Sequence, residues 1–181
     1  MKKLIIGSFI IMFLAQWAAP ASMIWKAERV LSKGKAFQFE TQPVDPADPL
    51  RGRYVALSFK ANTIATPKES YRYGQEVYAE IAADRNGAAY IKSIHKTLPP
   101  NGNDYLKIKI EYTNDEGKTF IEYPFEEFYL DEFKAPAAEN LYRESMRNST
   151  GHTYALVHVY RGRGVIRDLI INGKSVHSYF K

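Results

Sequence analysis

The sequence predicts a mainly β domain carried on an N-terminal apolar helix. Three observations lead there. An uncharged run from Leu4 to Trp25 follows Met1-Lys2-Lys3. Beyond it, short runs of alternating apolar and polar residues recur between Gly-containing turns. The aromatic residues are mainly Tyr (13) and Phe (10), which suit a pleated, half-buried surface. Residues 1–34 are read as a membrane anchor, or a signal peptide, with a short helix, and residues 35–181 as a β-rich domain of hairpins with one short internal helix.

The N-terminal run is long enough to cross a bilayer as a helix. Its interruptions, Gly7, Ser8, Gln16, Pro20 and Ser22, carry no charge, and Lys26 ends it. Lys2 and Lys3 in front predict that the N-terminus stays in the cytoplasm and the rest is exported. Ala19-Pro20-Ala21 before Ser22 also suits cleavage near Ala21, which leaves an exported, unanchored domain as the alternative. Continued apolar character through Met23, Ile24 and Trp25, and Trp17 and Trp25 as interfacial residues, favour the anchor. Lys26 to Leu31 reads as helix, with Gly34 as its stop.

In the domain, Phe37 to Gln42 alternates as a strand. Pro43-Val44-Asp45-Pro46-Ala47-Asp48-Pro49 is too rich in proline for helix or central strand and makes a stiff loop. Leu50 to Arg53 closes that loop, and Tyr54 to Phe59 reads as one strand. Residues 61–74 read as loop. Val77 to Ala83 and Ala88 to Ile94 form a hairpin about Asp84-Arg85-Asn86-Gly87. Tyr105 to Tyr112 alternates Tyr105, Lys107, Lys109 and Glu111 against Leu106, Ile108, Ile110 and Tyr112. Thr119 to Tyr123 pairs back across Asn114-Asp115-Glu116-Gly117, and Phe125 to Leu130 follows. Residues 136–148 carry a helix whose apolar face is Ala137, Leu141, Tyr142 and Met146. His152 to Tyr160 and Val165 to Ile171 flank the turn Arg161-Gly162-Arg163-Gly164. Asn172-Gly173 starts a last strand over Lys174 to Phe180. The hairpins Val77–Ile94 and Tyr154–Ile171 are alike, each preceded by a Tyr/Phe-rich segment, which suggests a duplicated unit.

Residues 43–59, from Pro43 through Gly52, Arg53, Tyr54 and Leu57 to Phe59, resemble the bacterial membrane-anchored proteins named for a GDYxxLxY motif. Phe125-Glu126-Glu127-Phe128-Tyr129-Leu130-Asp131-Glu132 is similar to a second landmark of that family, an aromatic strand. The closing stretch from Gly164 to Gly173 is also similar. The resemblance covers nearly the whole chain and implies an envelope location without a reaction. Two motif positions depart: Arg53 stands for Asp, and Phe59 for the last Tyr. Pro43, Pro46, Gly52, Tyr54, Leu57, Phe59 and Tyr129 are the motif and structural residues this implies.

Cysteine is absent, which excludes disulfides, thiolate metal sites and thiol catalysis. The net charge of +5 is dispersed among acidic residues, so no nucleic-acid partner is expected. His95, His152, His158 and His177 lack the one-turn helical spacing of a zinc site, and no metal or cofactor is expected. Asp45, Asp48, Arg51 and Arg53 crowd the Pro-rich loop. They form either a small polar binding site or a set of internal caps and ion pairs. Arg cannot exchange a proton near neutral pH, so Arg53 weighs against acid–base work by the motif. Arg161, Arg163 and Arg167 are candidates for contact with anionic lipid headgroups, against the plainer reading of a solvated turn. The leading expectation is a non-catalytic binding or accessory protein of the envelope, its partners the membrane and an integral membrane protein. An envelope hydrolase using Asp45 and Asp48 is the runner-up, and a polysaccharide or lipid binder the third.

Overall fold

The computed structural model describes residues 2–43, 54–66, 71–99, 104–147 and 152–180. Helix α1 runs Lys2–Lys33, with Pro20 inside it. Its stretch Ile6–Lys33 is long and apolar enough to cross a membrane, and none of its most apolar window is buried. Ile6, Phe9, Ile10, Ile11, Phe13, Leu14 and Trp17 all stand exposed. At the far end the Gly34 N–H donates to the Val30 carbonyl at 2.8 Å, and β1 (Lys35–Gln42) starts one residue later. A Cβ at Gly34 would collide with the Val30 carbonyl and lie 3.1 Å from the Val159 backbone. Glycine is what lets helix and sheet meet with no linker between them.

One five-stranded antiparallel sheet contains β1, β3 (Ser58–Phe59), β10 (Thr153–Tyr160), β11 (Arg163–Ile171) and β12 (Lys174–Ser175), in the order β12-β11-β10-β1-β3. A second contains β4 (Thr63–Ala65), β5 (Glu76–Ala83), β6 (Ala89–His95), β7 (Tyr105–Thr113) and β8 (Lys118–Glu122), in the order β4-β8-β7-β5-β6. A two-stranded ribbon joins β2 (Tyr54–Ala56) to β9 (Glu127–Tyr129). Bridges Gln38↔Ala88 and Leu106↔Gly162 connect the two large sheets. One core lies between them, with Phe37, Phe39, Val157 and Leu169 from the first and Val77, Leu106, Ile108 and Ile121 from the second. The alternation read from the sequence is what puts these side chains inward.

Several expectations need correction. Tyr54 to Phe59 is not one strand of one sheet. Its first half pairs with β9 and its second with β1, although Val55, Leu57 and Phe59 all remain buried. Residues 61–74 contain the short strand β4, which exists only because β8 pairs with it. Tyr112 is 49% exposed, because a register shift between Ile110 and Tyr112 turns it off the inner face. Helix α2 (Ala135–Arg147) buries Ala135, Ala138, Tyr142 and Ser145, so its buried face includes Ala138 and not Ala137. Phe125 to Leu130 contributes only the three residues of β9.

The turn after β10 is the two-residue Arg161-Gly162, both with positive φ (48° and 79°), and β11 already starts at Arg163. That geometry matches the twist of the flanking strands. Asn172-Gly173 repeats it with φ of 51° and 77°. Only Lys174 and Ser175 then pair as strand, and Val176–Phe180 closes the described chain as a 3₁₀ turn. The two similar hairpins lie in different sheets. The aromatic segments that precede them pair with each other as β2 and β9.

Candidate functional site

The two landmark segments, far apart in sequence, are hydrogen-bonded neighbours. Tyr54 pairs with Tyr129, Val55 with Phe128 and Ala56 with Glu127. The Leu57 N–H donates to the Glu126 carbonyl at 2.8 Å, which extends the pairing by one residue before the chain changes sheet. Val55, Leu57 and Phe128 face the core, each 5% exposed or less. Tyr54 and Tyr129 face outward with ring centroids 5.8 Å apart, and the Tyr129 hydroxyl donates to the Glu127 carboxylate. Tyr129 is 66% exposed and Phe133, shortly after it, 92%. The ribbon therefore has an inner apolar face and an outer aromatic one.

Behind it lies an aromatic cluster. Phe59 stands 5.7 Å from Phe39, 5.5 Å from Tyr123 and 5.6 Å from Phe125, ring centre to ring centre. The Tyr123 hydroxyl donates to the Ala61 carbonyl, and burial pushes its pKa well above the usual phenol range. Helix α2 packs against β2 and adds Ala138 and Tyr142 to the same core, and the Tyr142 hydroxyl donates to the Gln42 carbonyl at 2.9 Å. Burial pushes that hydroxyl up to about 12, against the pull of a hydrogen bond with Thr41. Both tyrosines are structural donors, too basic to exchange protons near neutral pH.

Beside the ribbon runs a groove of about 660 Å³ between the β8–β9 segment and β11. Glu122, Glu126 and Glu127 line one wall, and Arg167 and His177 lie among its other residues. Glu126 accepts from the Tyr123 N–H at 3.1 Å. Burial holds its carboxyl above the usual carboxylate range; the Tyr123 N–H pulls it back, and Glu122, Glu111 and Glu127 add to the rise. Such a surface can grip a partner by aromatic contact and paired charges. Among the described residues no group of three or more His, Asp or Glu converges as a metal site.

Of the residues singled out from the sequence, Leu57 and Phe59 are core, Tyr54 is half-buried and Tyr129 exposed. Pro43 is exposed at the end of β1. Asp45, Pro46, Asp48, Arg51, Gly52 and Arg53 lie outside the described residues, between Pro43 and Tyr54. Arg161 lies over the Tyr160 ring at 5.4 Å, while Arg163 and Arg167 line two different grooves. Glu126 and Glu127 belong to the second landmark, yet their pairing with the motif strand has no local sequence signal.

The GDYXXLXY protein family model matches residues 16–169. The chain belongs to this family. The match takes in the end of the apolar helix, both landmarks and most of β11. Comparison with curated proteins and with solved structures gave no match. Within the GDYXXLXY motif, the Leu position is a core side chain and the first Tyr forms the outer face of the ribbon. The last Tyr position, here Phe59, packs in the aromatic cluster, so a ring without a hydroxyl suits its surroundings.

Proposed function

We propose that this GDYXXLXY protein is a membrane-anchored accessory protein of the bacterial cell envelope that binds its partner without catalysing a reaction. Its N-terminus stays in the cytoplasm, α1 makes one span, and the β domain works outside. The observation that carries this reading is the exposed apolar surface of α1 from Ile6 to Trp25, on a helix joined to β1 through Gly34 alone. Exposed apolar side chains in such number belong against lipid. A junction without a linker holds the domain close to the membrane surface.

The binding surface is the outer face of the β2–β9 ribbon, with Tyr129 and Phe133, and Asp45, Asp48, Arg51 and Arg53, which precede β2 in the chain, are the charged residues proposed to act with it. The groove beside the ribbon shares Glu122, Tyr123, Pro124, Gly164 and Val165 with a second groove that reaches α1. That continuity favours a partner that is itself in the membrane. Exposed aromatic rings are typical anchors of such interfaces.

Affinity capture from membranes with the full-length chain tests this. Tyr129→Ala/Phe133→Ala is expected to lose the captured membrane protein while the variant stays folded and membrane-bound. Arg53→Asp, which restores the motif residue, is expected to change capture without creating ester, peptide or phosphate hydrolysis. Hydrolysis by the native chain that Asp45→Asn or Asp48→Asn abolishes without unfolding would replace this reading with an enzymatic one.

A further inference from the structure

The second groove, of about 480 Å³, lies between the end of α1 and the domain. That is the size of a ligand site. Its open apolar lining is Met23 and Ala27 from the helix and Val165 from β11, with the buried Val30 and Ile108 beneath it. Its charged residues are four cations, Lys26, Lys107, Lys109 and Arg163, and two carboxylates, Glu76 and Glu122. Lys107 and Glu76 satisfy each other at 2.6 Å, and that hydrogen bond holds the Glu76 carboxyl below its ordinary range. Lys109 lies opposite Glu76 on β5 and Glu122 on β8 in the strand register, and with Lys26 and Arg163 added the groove as a whole carries two more cations than carboxylates.

Its depth along α1 is informative. From Ile6 to Trp25 the helix rises roughly 29 Å at about 1.5 Å per residue, close to the thickness of a bilayer's hydrocarbon core. Trp25 is the last residue of the apolar run, and Lys26, the first charge after it, lines the groove. The Arg29 guanidinium lies 5.3 Å from the Trp25 ring centre, another cation at this level. The groove thus meets the plane where lipid phosphates lie, with its apolar lining beginning at Met23 and its cations beginning at Lys26. A neutral apolar occupant would leave the positive charge uncompensated. A soluble anion would leave the apolar lining wet.

We infer that this groove holds one anionic phospholipid of the membrane that α1 spans, its acyl chain on Met23 and Ala27 at the membrane side and its phosphate at Lys26, Lys109 and Arg163. This rests on α1 as an uncleaved span. The lipid would fill the wedge between helix and domain and hold the landmark groove at a set height above the membrane.

The test uses the full chain extracted from membranes, after carbonate washing shows that it is integral. It is placed in nanodiscs of equal phosphatidylglycerol and phosphatidylcholine, released, and examined by native mass spectrometry. One phosphatidylglycerol retained per chain, in preference to phosphatidylcholine, is expected. Each cation near an anionic lipid is worth roughly fivefold, so Lys109→Gln/Arg163→Gln is expected to lower that retention roughly thirtyfold. Ala27→Trp, which fills the apolar lining, is expected to abolish it and leave the protein membrane-bound. Equal retention of both lipids, or retention unchanged in both variants, overturns the inference and leaves the anchor standing. Release of the chain by carbonate overturns both.

Discussion

Leu57→Ala offers a direct test of the motif as a packing device. Leu57 is 3% exposed, and its N–H is held by the Glu126 carbonyl at the point where the chain passes from ribbon to sheet. The substitution removes three buried carbons, worth about 2.4 kcal/mol at about 0.8 kcal/mol each. The cavity left in a core shared by two sheets raises the cost to about 3 kcal/mol, within the range of about 2–5 for such changes. For a domain of this size that is a fall in Tm of roughly 10 °C. Thermal unfolding of the full chain in detergent, followed by circular dichroism, reads it. Tyr129→Ala, on the exposed face of the same ribbon, is expected to cost less than about 1 kcal/mol. A Leu57→Ala Tm within about 3 °C of the native chain, or an equal loss in Tyr129→Ala, would refute the assignment of inner and outer faces.

Gly164→Ala is expected to cost about 1–3 kcal/mol by overpacking, since a Cβ there collides with the Phe125 ring and lies 3.1 Å from Leu106. Adding Phe125→Leu should return part of that loss in denaturant unfolding, because the two sites touch. Glu126 is expected to make stability fall as pH rises. Its folded-state pKa is raised, so the stability it contributes is fully present below the usual value of 4.5 and is lost as pH climbs through the higher folded value. Glu126→Gln keeps an acceptor for the Tyr123 N–H and removes the charge, so its Tm should vary less between pH 4.5 and 7 than that of the native chain. A pH profile identical in the two forms would contradict this.

Much of this fold is legible in local pattern. The alternation of Leu106, Ile108 and Ile110 against Lys107 and Lys109 places β7, and Asn172-Gly173 places a tight turn, because period and turn chemistry act over a few residues. Gly34 is legible as a helix stop for the same reason. What local pattern misses is decided across the chain. The register shift that exposes Tyr112 depends on how β7 meets β8. Strand β4 depends on its partner, and the Tyr54–Phe59 segment divides because two different strands claim its halves. The candidate site has the same character. Tyr54 and Leu57 stand out as motif residues, but their pairing with Tyr129 and Glu126 is a long-range event. The cationic groove draws Lys26, Lys109 and Arg163 from three elements, and no window of sequence holds them together.

In the proposed function α1 remains in the membrane with the β domain outside. Protease shaving of intact spheroplasts carrying a C-terminally tagged chain, with mass spectrometry of the fragment left in the membrane, tests it most directly. The external protease is expected to remove the tag and leave a protected fragment that begins ahead of Leu4 and includes the apolar run. A tag that survives until the cells are lysed, or a mature chain that begins at Ser22, would contradict it.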